Sequence, residues 1–197
     1  VKIPTTVKTA GVFAAGLLLG AVIFFPWNSV ADYAAASAVY AAGSKGIDLE
    51  IKETSSEGIL APKFMFSGVK ASTPMAHASI SHIEVDPVQF SLTGDEKRFS
   101  VYGGSGSVQG QIGGGVTWRS ARSDVTLKNS SILIENISVD GDIKGKGTAE
   151  LSSSGKLMHA DLTFTLPDKL NTVAEALAVI GSLPLKKDPA GEWRLKK

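Results

Sequence analysis

The sequence predicts a mainly β protein: one N-terminal transmembrane helix, then a curved antiparallel sheet with two short helices. Three observations lead there. Residues Thr9 to Phe25 form an apolar run without a single charge. From Ile47 onward, apolar residues recur at every second position in about eight or more short segments. The links between those segments are too short for crossover helices, which favours an antiparallel meander over a parallel α/β sheet. The expected divisions are an N-terminus and anchor over 1–27, an alanine-rich capping helix over 28–46, and an antiparallel β domain over 47–197.

Composition narrows the function classes. Once the anchor is set aside, the 197 residues leave one domain of ordinary size. Aromatics make up only 7% and there are 21 glycines, so little bulky material is available for a thick core. Lys and Arg number 20 against 19 Asp and Glu, which gives no basic field to hold nucleic acid. No cysteine is present, so neither disulfides nor thiolate metal sites can hold the domain together.

The run TAGVFAAGLLLGAVIFF is read as a membrane anchor. As a helix from Thr9 to Trp27 it rises roughly 28 Å, close to the hydrocarbon thickness of a bilayer. Its lipid-facing side chains are Val12, Phe13, Leu17, Leu18, Leu19, Val22, Ile23, Phe24 and Phe25. Trp27 falls at the lipid–water boundary, where its amphipathic ring is favoured. Lys2 and Lys8 precede the run, and only Asp32 separates it from Lys45. That bias keeps the N-terminus in the cytoplasm and sends the rest across the membrane. A cleaved signal peptide is the competing reading, with Ser29-Val30-Ala31 as the small-residue site. The run exceeds an ordinary h-region, and Pro26 and Trp27 fit that alternative poorly. Gly16 and Gly20 form a GxxxG, a candidate helix–helix contact for a homodimer through the anchor, although glycine is common in membrane helices.

Asn28 to Ala42 is expected to be a short amphipathic helix, with Val30, Tyr33, Ala34, Ser37, Ala38 and Ala41 at helical spacing. Asn28 and Ser29 are N-cap types, and Asp32 falls in the first turn. Gly43 and Gly46 end it. The helix either caps the following sheet or lies at the membrane interface. The mostly alanine apolar side favours capping.

Ile47, Leu49 and Ile51 alternate with Asp48, Glu50 and Lys52 as a strand with one wet face. Phe64 and Phe66 mark a second strand after Pro62. Ile83 and Val85 precede Asp86-Pro87, beyond which Val88, Phe90 and Leu92 continue on the other parity, as at a bulge or break. Thr93 to Lys97 is a turn, and Phe99 with Val101 opens another strand. Tyr102 to Gly115 reads either as a flexible linker or as a glycine-rich strand of a curved sheet. Val108 and Ile112, continued by Val116 and Trp118, favour the strand.

Further strands are expected at Ser123–Leu127 and Ser131–Ile137. From Val139 to Leu151 the alternation is nearly ideal, with Val139, Gly141, Ile143, Gly145 and Gly147 on one side. These five residues are a candidate apolar groove, because glycine leaves room for an acyl chain. Lys156 to Leu166 gives another strand. Lys169 to Ile180 gives a helix with a stripe at Leu170, Val173, Leu177 and Ile180. That stripe is expected to cover much of the apolar face, so the domain should carry little phospholipid. A DPAG turn joins Leu185–Lys187 to Glu192–Leu195 as a hairpin.

No catalytic constellation stands out. His77, His82 and His159 lack a dense ligand cluster, and no GxSxG is present. Gly103 to Gly110 lacks the Lys-Ser/Thr ending of a phosphate loop. Glu50, Glu53 and Glu57 read as a solvated strand end. Asp140, Asp142 and Glu150 share their face with Lys144 and Lys146, which favours plain solvation. A non-enzyme without cofactors is expected.

Phe25-Pro26-Trp27, Gly46-Ile47-Asp48-Leu49-Glu50-Ile51, Tyr102-Gly103-Gly104 with Gly106 and Gly110, and Pro184-Leu185-Lys186-Lys187-Asp188 together carry a resemblance. They resemble the type II secretion system protein N family, itself related to AsmA-like periplasmic β-rich proteins. The likeness runs over nearly the whole chain, through motifs of low individual specificity. It implies a single-pass protein of the bacterial inner membrane whose C-terminal domain is periplasmic. Its role would be an accessory or assembly component in protein export, with the lipid bilayer and other secretion-system envelope proteins as partners. The alternative, through the AsmA-like relatives, is a lipid-binding or lipid-transfer module. A third possibility is an envelope-anchored structural protein.

Overall fold

The computed structural model describes Gly20 and residues 25–58, 62–89, 96–110, 115–180 and 184–197. Helix α1 (Trp27–Gly43) leads into β1 (Asp48–Glu50), β2 (Glu53–Glu57), β3 (Lys63–Ser72), β4 (Ala76–Gln89), β5 (Lys97–Gly103), β6 (Gly106–Gly110) and β7 (Gly115–Leu127). Then come β8 (Ser131–Gly141), β9 (Lys144–Ser152), β10 (Leu157–Thr165), helix α2 (Asp168–Ile180), β11 (Leu185–Lys187) and β12 (Trp193–Lys196). Among the described residues these form one 12-stranded sheet in the order β1-β3-β4-β5-β7-β8-β9-β10-β12-β11. β2 lies beside β3, and β6 lies between β4 and β7. The fold is therefore mainly β, antiparallel, with two helices. No described helix is long and apolar enough to cross a membrane. Apart from Gly20 and Phe25, the run Thr9–Phe25 lies outside the described residues.

The glycine-rich stretch is strand, up to the 111–114 segment outside the described residues. β5 and β6 lie end to end between β4 and β7, joined at Gly104 and Ser105. Gly104 N donates to His82 O (2.9 Å) and Ser81 N to Ser105 O (2.8 Å), so the ladder with β4 continues across the joint. A Cβ at Gly104 would lie 2.4 Å from His82 Cε1 and from Ser81 Oγ, so a larger residue there requires those side chains to shift. Pro87 stays inside β4. The register with β5 shifts between Pro87 and Gln89, so the change of parity is a bulge. Phe90 and Leu92 fall outside the described residues.

The expected single strand from Val139 to Leu151 is a hairpin. The chain reverses at Asp142 and Ile143, with Val139 opposite Gly145 and Ile137 opposite Gly147. Both pairs join odd-numbered residues, so odd positions keep the same side through the turn and the alternation conceals it. The turn has its own chemistry. Asp142 accepts from Thr117 N (2.9 Å) and Thr117 Oγ1 (2.7 Å), and Asp142 N donates to Thr117 O (3.0 Å). These bonds pin the reversal to β7.

The meander departs from simple order at its C-terminal end. β12, not β11, lies against β10, and β11 is outermost. The DPAG hairpin is built by Asp188, whose Oδ1 accepts from Ala190 N and Glu192 N, both at 2.9 Å. Trp193 is 2% exposed, and its Nε1 donates to Asn171 Oδ1 on α2 (2.7 Å). Lys187 Nζ reaches Glu175 Oε1 at 3.0 Å, so α2 is tied to β11 as well. The side chains of Val173, Leu177 and Ile180, in the stripe expected to cover the sheet, lie outside the described residues.

Candidate functional site

The two faces of the sheet differ in chemistry. Residues directly opposite in an antiparallel pair share a face. Phe64 faces Val85, Val85 faces Val101, and Phe99 faces Val125. Val125 faces Ile134, Ile134 faces Ala149, and Ala149 faces Ala160. Leu162 then faces Leu195, and Leu195 faces Leu185. One apolar face thus runs from β3 to β11. Few of its members are fully buried. Among the described apolar residues only Ala31, Ala35, Val69, Val116, Ala160, Ala174, Trp193 and Leu195 are.

The other face carries charge. Arg194 grips Asp161 with Nε at 3.1 Å and Nη2 at 3.0 Å from the carboxylate. Those hydrogen bonds hold the Asp161 carboxyl below its ordinary range. Lys63 Nζ meets Asp86 at 2.9 Å, and that contact raises the Lys63 ammonium. The hydroxyl and backbone bonds of Thr117 likewise lower Asp142. All these groups face water, so the pairs fix geometry more than they stabilise the fold.

A groove opens where α1 lies over the apolar face. Its volume is about 650 Å³. α1 contributes Trp27, Val30 and Ala34; Pro62 and β3 contribute Phe64 and Phe66; Val85, Pro87, Val88 and Phe99 come from β4 and β5. The Trp27 ring meets Phe64 edge-on at 6.4 Å and Phe25 at 4.4 Å.

The helix is held there by Asn28, read from the sequence as an N-cap type, and by Asp32, read as a first-turn acid. The N-cap is Pro26, with no side-chain capping bond, and no acidic residue sits in the first turn. Asn28 Oδ1 instead accepts from Ser56 N (2.9 Å) and Ser56 Oγ (2.7 Å) on β2. Asp32 accepts from Thr54 Oγ1. The same short polar side chains that cap helices here dock one onto a strand, and Asn28 satisfies a backbone donor of that strand. Ala31 and Ala35 are buried beneath the helix, and their small size permits the close approach.

Of the five residues read as a groove from sequence, Val139 pairs with Gly145, and Gly147 lies two positions on from Gly145 in β9. Val139 and Gly145 border a shallow hollow of about 370 Å³ with Thr163 and Phe164. Ile143 is half-buried in the turn. The glycines mark close backbone approach. A Cβ at Gly147 (φ +149°) would lie 2.1 Å from Asp161 O, and one at Gly141 (φ +157°) 2.4 Å from Trp118 Cα. Of the anchor residues, Phe25 and Trp27 are described and adjoin the α1 groove. Gly20 has nothing within 4 Å of where its Cβ would be, and Gly16 lies outside the described residues.

The α1 groove is the feature that sequence reasoning missed. Its lining comes from residues 27 to 99, across four elements, and only their aromatic content (FPW, Phe64, Phe66, Phe99) signals it in the sequence. The histidines have local partners: His77 Nδ1 lies 3.1 Å from Ser72 Oγ, and His82 Nε2 lies 3.6 Å from Glu84. Among the described residues, no group of three or more His, Asp or Glu side chains is placed to hold a metal ion. The chemistry on offer is apolar binding.

No curated protein and no solved structure matches the chain. A family model described as "Type II secretion system protein GspN-like, Synergistales" matches residues 4–197. Nearly the whole chain is covered, from the apolar run through the final strand, and the chain belongs to that type II secretion system GspN-like family.

Proposed function

We propose that this protein is an accessory or assembly component of the type II secretion system, held in the inner membrane by its N-terminal run with the β domain in the periplasm. The observation that carries this reading is the family match over residues 4–197. The uncharged run Thr9–Phe25, preceded by Lys2 and Lys8, supports the single-pass anchor and its orientation. A two-faced sheet suits a component that makes contacts rather than turning over a substrate, and we read it as a non-enzyme. Other secretion-system envelope proteins are the partners this role requires. Gly16 and Gly20 are candidates for a homodimer contact in the anchor.

A second reading, a lipid-binding or lipid-transfer module of the AsmA-like kind, is favoured by one observation: the half-buried apolar face and its groove under α1. Affinity capture of the full chain from cross-linked, detergent-solubilised envelopes separates the two. Recovery of inner-membrane secretion subunits is expected. Recovery of lipid-handling proteins alone contradicts the first reading.

A further inference from the structure

We propose that the groove between α1 and strands β3 to β5 takes one acyl chain of a bilayer phospholipid, at the point where the polypeptide leaves the membrane. This rests on the reading of Thr9–Phe25 as a membrane anchor. Two observations carry it beyond that reading.

The first is chemical. Every described residue bordering the groove is apolar or aromatic, and among these the Trp27 indole alone carries a side-chain polar atom. A polar ligand would lose its water without replacement hydrogen bonds. An extended peptide would leave backbone N–H and C=O groups unpaired there. An alkyl chain has neither liability, and it gains wherever it leaves water. The volume of about 650 Å³ lies within the range of about 300–1,000 Å³ typical of small-molecule sites.

The second is positional. The apolar run ends at Phe25, whose ring lies against Trp27, and Trp27 is itself a wall of the groove. Phe25 is 46% exposed and Val88, also in the lining, is 68% exposed. An apolar path therefore runs from the end of the anchor, past Phe25 and Trp27, to Phe64 and Phe66. A lipid in the outer leaflet of that membrane needs only to lift one chain along it. The bound chain would fix the tilt of the sheet over the membrane surface, since α1 and β2 are already locked by Asn28 and Asp32. Such a clamp differs from a transfer path, because it holds a lipid at the anchor and does not require the rest of the apolar face.

The test uses the full chain in vesicles of phosphatidylethanolamine and phosphatidylglycerol that carry a diazirine at the end of one acyl chain. After illumination, cross-linked peptides are mapped by mass spectrometry. Labelling of the peptides holding Phe66, Val85 and Phe99, in addition to the anchor, is expected. Ala34→Trp supplies the control, because Ala34 is exposed on α1 and borders the groove, so a large ring there fills the groove without entering the core. Displacing even two methylene groups should lower groove labelling about tenfold, while anchor labelling stays unchanged. Labelling confined to residues before Trp27 overturns the clamp and leaves the anchor standing. Labelling spread equally over Leu127, Ile134 and Leu162 overturns it in favour of an open lipid face. Failure of the chain to float with the vesicles overturns the anchor and the clamp together.

Discussion

Gly147→Ala should be among the most damaging single-methyl additions in the sheet. Gly147 sits in β9 opposite Leu162, with φ at +149°, a conformation that L side chains rarely adopt. Its Cβ would lie 2.1 Å from Asp161 O, 2.9 Å from Leu162 Cα and 3.0 Å from Asp161 C. All three are backbone atoms of a paired strand, so none can swing aside. Backbone strain of this kind costs about 1–3 kcal/mol, and forcing a methyl into filled space adds about 1–3 kcal/mol. The expected loss is therefore about 2–6 kcal/mol. Gly103→Ala is the control. Its Cβ would meet Ala121 Cβ at 3.7 Å, an ordinary contact, and its φ is unexceptional. There the unfolded chain loses freedom with no native strain, so the change should be neutral or stabilising by up to about 1 kcal/mol. Urea unfolding in mild detergent, followed by far-UV circular dichroism, reads both. Equal midpoints for the two variants would refute the claim that Gly147 marks a backbone contact.

Asn28→Ala should cost about 1–2 kcal/mol, because it removes two hydrogen bonds that dock α1 on β2, whereas Ser29→Ala should stay within about 0.5 kcal/mol; the reverse ranking in the same melts would restore the capping assignment. Asp161 is held below the ordinary carboxylate value of 3.8 by its hydrogen bonds to Arg194. The native state therefore binds its proton less readily than the unfolded chain, and the stabilisation is present above that value and lost as pH falls through the lower native one. The stability gap between wild type and Asp161→Asn should thus be full at neutral pH and vanish in acid, and a gap independent of pH argues against the pair. A phosphatase reporter fused after Gly43 should be active in cells if the proposed anchor lies with Lys2 and Lys8 on the cytoplasmic side; a well-expressed but inactive fusion reverses that proposed orientation.

Much of the sheet is legible in the sequence because each strand alternates apolar and polar side chains along its own length, and an alternation that keeps its parity across a turn runs straight through it. That same property hid the turn at Asp142-Ile143. Odd residues pair with odd across it, so nothing in the pattern announces the reversal, and only Gly141-Asp142 hints at turn chemistry. Asn28 and Asp32 are legible as polar residues suited to a helix start but not in their role, because a carboxylate or amide that accepts from a helix end accepts equally well from a strand 22 to 28 residues along the chain. The glycines of β9 were legible as a special feature of the apolar side. What sequence could not supply was the neighbouring strand, and at Gly147 it is the β10 backbone that occupies the space a side chain would need. The α1 groove needed tertiary structure altogether, since it joins Trp27 to Phe99 by way of β3 and β4.

Membership of the GspN-like family leads to the proposal that this protein serves protein export. The most direct measurement compares a deletion strain with one complemented by the full chain, assaying both a secreted type II substrate and the lipid composition of the outer membrane. The folded substrate should accumulate in the periplasm of the deletion strain and reach the medium on complementation, while the lipid balance changes little. Normal secretion accompanied by a disturbed outer-membrane lipid balance would contradict it.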